Sequence, residues 1–171
     1  MRTIFDINPA ATSSMQNQAN QHLTPKTHDS PTGTVMAFDF GEKRIGVAVG
    51  DLQLGLAHPL ATVSDVLTER RFDSIAKLIE EWQPVLLVVG LPTHADGSGH
   101  ELTRLSQRFA RRLEGRFNIK TTLVDERYTS ITAGTALREA GVKGKKQKPL
   151  LDQVAAQQIL QSYFDGHHAL A

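Results

Sequence analysis

Apolar and polar positions sort residues 34–166 into a series of strand and helix patterns. Val35-Met36-Ala37-Phe38 is an apolar run that reads as a buried strand, with Asp39 standing where the strand should end. Gly41 signals a turn, and Ile45 to Val49 resumes as a second apolar, β-branched run, so the pair predicts a hairpin. Gly55 to Val63 is a third short strand, which Pro59 assigns to an edge or a bulge. Ser64 or Asp65 then caps a helix to about Trp82, with Phe72, Ile75, Ala76, Ile79 and Trp82 on one face as core residues. Pro84 stops it.

Val85 to Val89 is continuously apolar rather than alternating, which predicts a strand covered on both faces, as in a sheet with helices around it. A loop with His94, Asp96 and Gly97 follows, where its residues read as solvated rather than metal-binding. The spacing next predicts a helix over about His100 to Gly115, with Leu102, Leu105, Phe109 and Leu113 inward. Arg104, Arg108, Arg111 and Arg112 lie outward, where arginines suit either solvent or nucleic-acid phosphates. Ile119 to Val124 is a further strand that runs into Asp125-Glu126-Arg127. A helix is expected over Ile131 to Ala140, capped by Thr129 or Ser130 and ended by Gly141. A glycine-spaced basic loop with Lys143, Lys145, Lys146 and Lys148 leads to a last helix from about Pro149 to Phe164. Its apolar face is Ala155, Ala156, Ile159, Leu160 and Tyr163, and at 100° per residue Asp152 falls in the middle of that face.

Residues 1–33 carry no such pattern. Rich in Asn, Gln, Ser and Thr and punctuated by Pro9, Pro25 and Pro31, they read as a disordered N-terminal extension. The domain organisation is then an extension (1–33), one domain (34–166) and a short C-terminal tail (167–171). The formal net charge of the 171 residues is only +1, so any nucleic-acid partner must be held by local patches. There are no cysteines, which excludes disulfides and thiolate metal sites. No apolar run approaches the roughly 18 residues of a membrane span, and the first residues have no h-region, so a secretory signal is not expected. A cytoplasmic protein without a membrane partner is expected.

Three carboxylates therefore occupy unusual places: Asp39 at a strand end, Asp125 or Glu126 after a later strand, and Asp152 on the inward face of a helix. Each has an ordinary account, as a turn residue for Asp39 or a first-turn helix acid for Asp152. The helix dipole favours a position along the axis, however, and not a direction towards the core. Clustered carboxylates repel and call for cations, and hard oxygen ligands suit Mg²⁺ or Mn²⁺. Two such ions about 3.5–4 Å apart activate a water and stabilise the leaving oxygen of a phosphodiester.

The chain resembles the YqgF/RuvX family over about Thr34 to Gly166. The motifs that carry the likeness are Asp39-Phe40-Gly41-Glu42-Lys43-Arg44-Ile45-Gly46 with Val47-Ala48-Val49, then Gly90-Leu91-Pro92, then Asp125-Glu126-Arg127-Tyr128-Thr129-Ser130, then Lys148 with Asp152 and Ala155-Ala156. The family usually has Thr where Ser130 stands and often Tyr where Phe40 stands. The resemblance implies an α/β, RNase H-like fold: a five-stranded mixed sheet, its first three strands antiparallel, flanked by helices. It implies Asp39, Glu126 and Asp152 as catalytic and metal-binding acids, with Mg²⁺ or Mn²⁺ as cofactor. Lys43, Arg44 and Arg127 would hold the scissile phosphate, and Lys143, Lys145, Lys146 and Lys148 the flanking backbone. The implied activity is a nuclease processing the 5′ end of precursor 16S ribosomal RNA, in contact with ribosomal particles, or alternatively a Holliday junction resolvase acting on branched DNA as a dimer. Two other classes compete. An actin-like ATPase opens with a similar Asp-x-Gly turn but needs two such domains, and the length supplies one. A non-catalytic nucleic-acid-binding module would keep the fold and the basic residues without turnover.

Overall fold

The computed structural model describes residues 32–94, 97, 99–126 and 147–168. The expected extension, the helix expected over Ile131 to Ala140, and the residues Arg127, Lys143, Lys145 and Lys146 lie outside this set. Five strands form one sheet: β1 (Thr34–Phe40), β2 (Ile45–Asp51), β3 (Leu56–Val63), β4 (Leu86–Leu91) and β5 (Thr121–Asp125). Their spatial order is β3-β2-β1-β4-β5. The first three are antiparallel and β1-β4 and β4-β5 are parallel, so the sheet is mixed as expected. Pro59 does lie on an edge strand, where its missing N–H breaks no inner ladder, and the β2–β3 register shifts between Val47 and Ala48.

Helices α1 (Thr68–Trp82) and α2 (Glu101–Phe117) cover one face, and α3 (Gln147–His168) packs on the other. Side chains alternate across a strand. Met36, Phe38, Val47, Leu87 and Val89 accordingly meet Phe72, Ile75, Phe109 and Leu113 on the α1/α2 face. Val35, Ala37, Ala48, Leu86 and Val88 meet Ala156, Ile159, Leu160 and Phe164 under α3. The double coverage explains why β1 and β4 read as unbroken apolar runs.

Several boundaries move. α1 starts at Thr68, because Asp65 is spent in the approach: its carboxylate accepts from the Leu67 N–H, and its carbonyl accepts from Arg71 Nε at 2.6 Å. Trp82, expected in the core, is 36 % exposed; it is the final residue of α1, next to a left-handed Gln83 that ends the helix. In α2 the inward stripe is Thr103, Ser106, Phe109, Ala110 and Leu113, leaving Leu102 and Leu105 half-buried. On α3, Phe164 is the fully buried aromatic and Tyr163 packs at its margin.

Candidate active site

The period-two alternation of β1 that buries Val35 and Ala37 beneath α3 also turns Asp39 to that face. In register, Asp39 pairs with Gly46 of β2. Gly46, Ala48 and Gly50 form a stripe of small residues on this face, and α3 settles into it: a Cβ on Gly46 would run into the main-chain carbonyl of Asp152, and one on Gly50 into the Phe164 ring. Gly46 thus brings the first turns of α3, with Asp152, against the strand that pairs with Asp39. Gly90 performs the same service at the end of β4. A Cβ there would run into the carboxylate of Glu126 and into Ile159 of α3. Glu126 directly follows β5 and ties back through its N–H to the carbonyl of Leu91 at 3.2 Å.

The electrostatics join the three acids. Burial, reinforced by the charge of Asp152, raises the Asp39 pKa to about 6. Burial, reinforced by Asp39 and then Asp125, raises that of Glu126 to about 7. Asp39 therefore feels Asp152 and is felt by Glu126, which makes it the middle member of the set. Asp125 turns elsewhere: it is exposed and accepts a hydrogen bond from the Thr93 hydroxyl at 3.2 Å. Of the two acids at the strand end, Glu126 is the one that lies against Gly90 and interacts with Asp39.

Asp152 has a counter-charge. Arg44 Nε donates to its Oδ2 at 2.5 Å, both side chains being partly buried. Arg44 lies in the β1–β2 hairpin loop, 108 residues away in sequence. Lys43 is exposed beside it, and Lys148 is exposed in the first turn of α3. His94 and His100 approach edge to face at 4.9 Å.

The donor set suits a hard divalent cation. Three carboxylates supply oxygen ligands only, and two of them have pKa values raised first by burial and then by neighbouring negative charge, both of which a bound cation would offset. Among the described residues no three acidic or histidine side chains converge tightly enough to enclose one ion. Asp39 is the acid whose charge interaction links Glu126 and Asp152, and Asp152 is paired with Arg44. Gly46 and Gly90 were missed as site residues in the sequence reading. Their signal was present, since glycine inside a strand marks a close approach of another group.

The mixed five-stranded sheet, in the order β3-β2-β1-β4-β5 with helices on both faces, is an RNase H-like fold, and its family and relatives place the chain among nucleases, hydrolases of phosphodiester bonds. A fowlpox virus resolvase solved with Holliday junction DNA shares the fold, with a TM-score of 0.52 at 12 % identity, over 78 % of this chain and 98 % of that one. Residues 33–166 match the family described as "RuvX: Holliday junction resolvase", and the chain belongs to that family. Two curated relatives carry the name "Putative pre-16S rRNA nuclease". That of Nitrosomonas europaea is 61 % identical over 145 residues, covering 85 % of this chain and 98 % of the relative. That of Nitrosospira multiformis is 64 % identical over 144 residues, covering 84 % and 95 %.

Proposed function

We propose that this protein is a divalent-cation-dependent nuclease that matures the 5′ end of precursor 16S ribosomal RNA in the cytoplasm. The observation that carries the reading is the set of coupled carboxylates, Glu126, Asp39 and Asp152, held against the sheet by Gly90 and Gly46. The ribosomal substrate rests on the names of the relatives. Asp39, Glu126 and Asp152 would hold Mg²⁺ or Mn²⁺ by their oxygens. When bound, the cation supplies Lewis-acid stabilisation of the charge on the scissile phosphate and a more acidic water.

The other steps belong to the chain's own residues. Asp39 is the one acid whose charge interacts with both of the others. Arg44 compensates Asp152 and, with Lys43, presents a cationic hairpin loop to the scissile phosphate. Arg127 joins Lys43 and Arg44 at the scissile phosphate, and Lys143, Lys145, Lys146 and Lys148 hold flanking backbone, a contribution that is independent of sequence and weakens with salt.

The family description and the resolvase fold favour a second reading, cleavage of a four-way DNA junction. Purified protein and its Asp39→Asn variant, incubated with Mn²⁺ and either a 5′-extended 16S precursor or a junction, separate the two. Metal-dependent cutting of the RNA alone, lost in the variant, is the expected result. Symmetric cutting of the junction would establish the resolvase instead, and equal cutting by both proteins would sink the site assignment.

A further inference from the structure

On the face of the sheet opposite the carboxylates, α1, α2 and the end of the β1–β2 hairpin enclose a cavity of about 250 Å³. Its apolar wall includes Phe40, Phe72 and Phe109, with Phe40 and Phe109 stacked at 4.8 Å and 30°. Arg71, Arg108 and Arg112 also line it. Arg71 is committed to main-chain carbonyls, donating to Asp65, Gly41 and Glu42, and so pins the hairpin loop while its charge meets no carboxylate among the described residues. Arg112 lies over the Phe72 ring at 4.7 Å and reaches Glu69 at 3.7 Å, but Glu69 is held closer by Arg116 at 2.5 Å. Arg108 is exposed and makes no ion pair among the described residues. Three guanidinium groups line the hollow, and among the described residues only Arg112 reaches a carboxylate, one held closer by Arg116, so the hollow calls for an anion. An aromatic wall beside them calls for a flat apolar group.

We infer that this cavity binds one nucleotide unit of a single strand, its base against Phe40 and its phosphate at Arg108 and Arg112. The volume lies below the range of about 300–1,000 Å³ usual for cofactor-sized ligands, which suits one unit and not a dinucleotide. Phe40 follows Asp39 directly, so the two side chains leave the same end of β1 on opposite faces. A strand leaving the carboxylates crosses the loop of Lys43 and Arg44 and reaches the cavity from above. The inference rests on the nuclease reading for its strand, and the same chemistry would take a free nucleotide.

The test uses the full chain carrying Asp39→Asn, without metal, so that binding is read independently of cleavage. Fluorescence anisotropy with a labelled single-stranded oligoribonucleotide is compared with Arg108→Ala and Phe40→Leu added, each checked by its melting temperature. Weakening of about tenfold in each is expected, with a salt dependence shallower by about one for Arg108→Ala. An oligonucleotide carrying 5-iodouridine should crosslink to peptides holding Phe40 or residues 105–112. Adenosine monophosphate binding that is lost in Arg108→Ala assigns the cavity to a free nucleotide; binding of the strand alone assigns it to the strand. Unchanged affinity in Arg108→Ala, or crosslinks confined to other peptides, overturns the inference. Cleavage by the otherwise unsubstituted protein is scored separately: its absence removes the nuclease reading and leaves the cavity result standing.

Discussion

Gly90→Ala separates the shape of the site from the stability of the fold. A Cβ at this position would overlap the carboxylate of Glu126, with its Cδ at 2.7 Å, and stand 2.5 Å from Ile159 Cδ1. Both obstacles are the far ends of rotatable side chains. The fold yields at a cost of about 1–2 kcal/mol, the lower part of the range for overpacked cores. With an ordinary stability of about 5–15 kcal/mol the protein stays folded, and the melting temperature drops by about 5 °C. The Glu126 carboxylate is displaced by about an ångström or more, a misplacement that costs about 10²-fold in rate. That exceeds anything a small unfolded fraction explains. Gly46→Ala is the contrast, because its Cβ would meet the main chain of Asp152, which no rotamer change relieves. It should lower stability by about 3 kcal/mol or more and activity with it. The assay pairs thermal melts with single-turnover cleavage of the precursor RNA. Gly90→Ala cutting at near the normal rate would refute the placement of Glu126 in the site.

The metal-free protein should lose stability as pH rises from about 4 to about 7. Asp39 and Glu126 titrate near 6 and 7 when folded, against ordinary values of 3.8 and 4.5. The folded state therefore holds more protons across that window, and stability falls by up to about 3 kcal/mol for either group. Denaturant unfolding over pH 4–8 reads the slope; Asp39→Asn should flatten it and raise stability at pH 7, and Mn²⁺ should restore stability only in the protein that keeps Asp39. Arg44→Gln should cost about 1 kcal/mol, because the ion pair with Asp152 is only partly buried. It should also tighten Mn²⁺ binding by calorimetry while slowing cleavage at least tenfold; weaker Mn²⁺ binding would show that Arg44 supports the cation instead of opposing it. Removal of residues 1–31 should leave the melting temperature unchanged, since the ladder bonds at Gly33 and Thr34 are retained.

Those features whose causes are local could be read from the sequence. The apolar runs of β1 and β4 and the Pro59 edge strand emerged from alternation and backbone chemistry. So did the inward direction of Asp152, because one turn of helix decides it. Glu126 and Asp125 could not be separated by composition: adjacent residues at a strand end point to opposite sides, and only the register with β4 says which faces α3. The partner of Arg44 was equally hidden, as 108 residues intervene. Trp82 misled for a related reason, since helical periodicity continues to the last turn whether or not the sheet extends beneath it.

The position of Asp152 on α3 bears on how such a chain is made. Leucine, isoleucine and phenylalanine from α3 close the second core cluster, and the same helix delivers the third carboxylate. During synthesis β1 emerges more than a hundred residues before its partner helix, so a growing chain carries Asp39 and even Glu126 with no Asp152 to complete them. Docking of α3 onto Gly46 and Gly50 is then one event that finishes the core and the active site together. With the three acids as the proposed active site, a stalled, truncated or half-folded chain lacks the full set, and cutting is confined to molecules that have passed their own folding checkpoint.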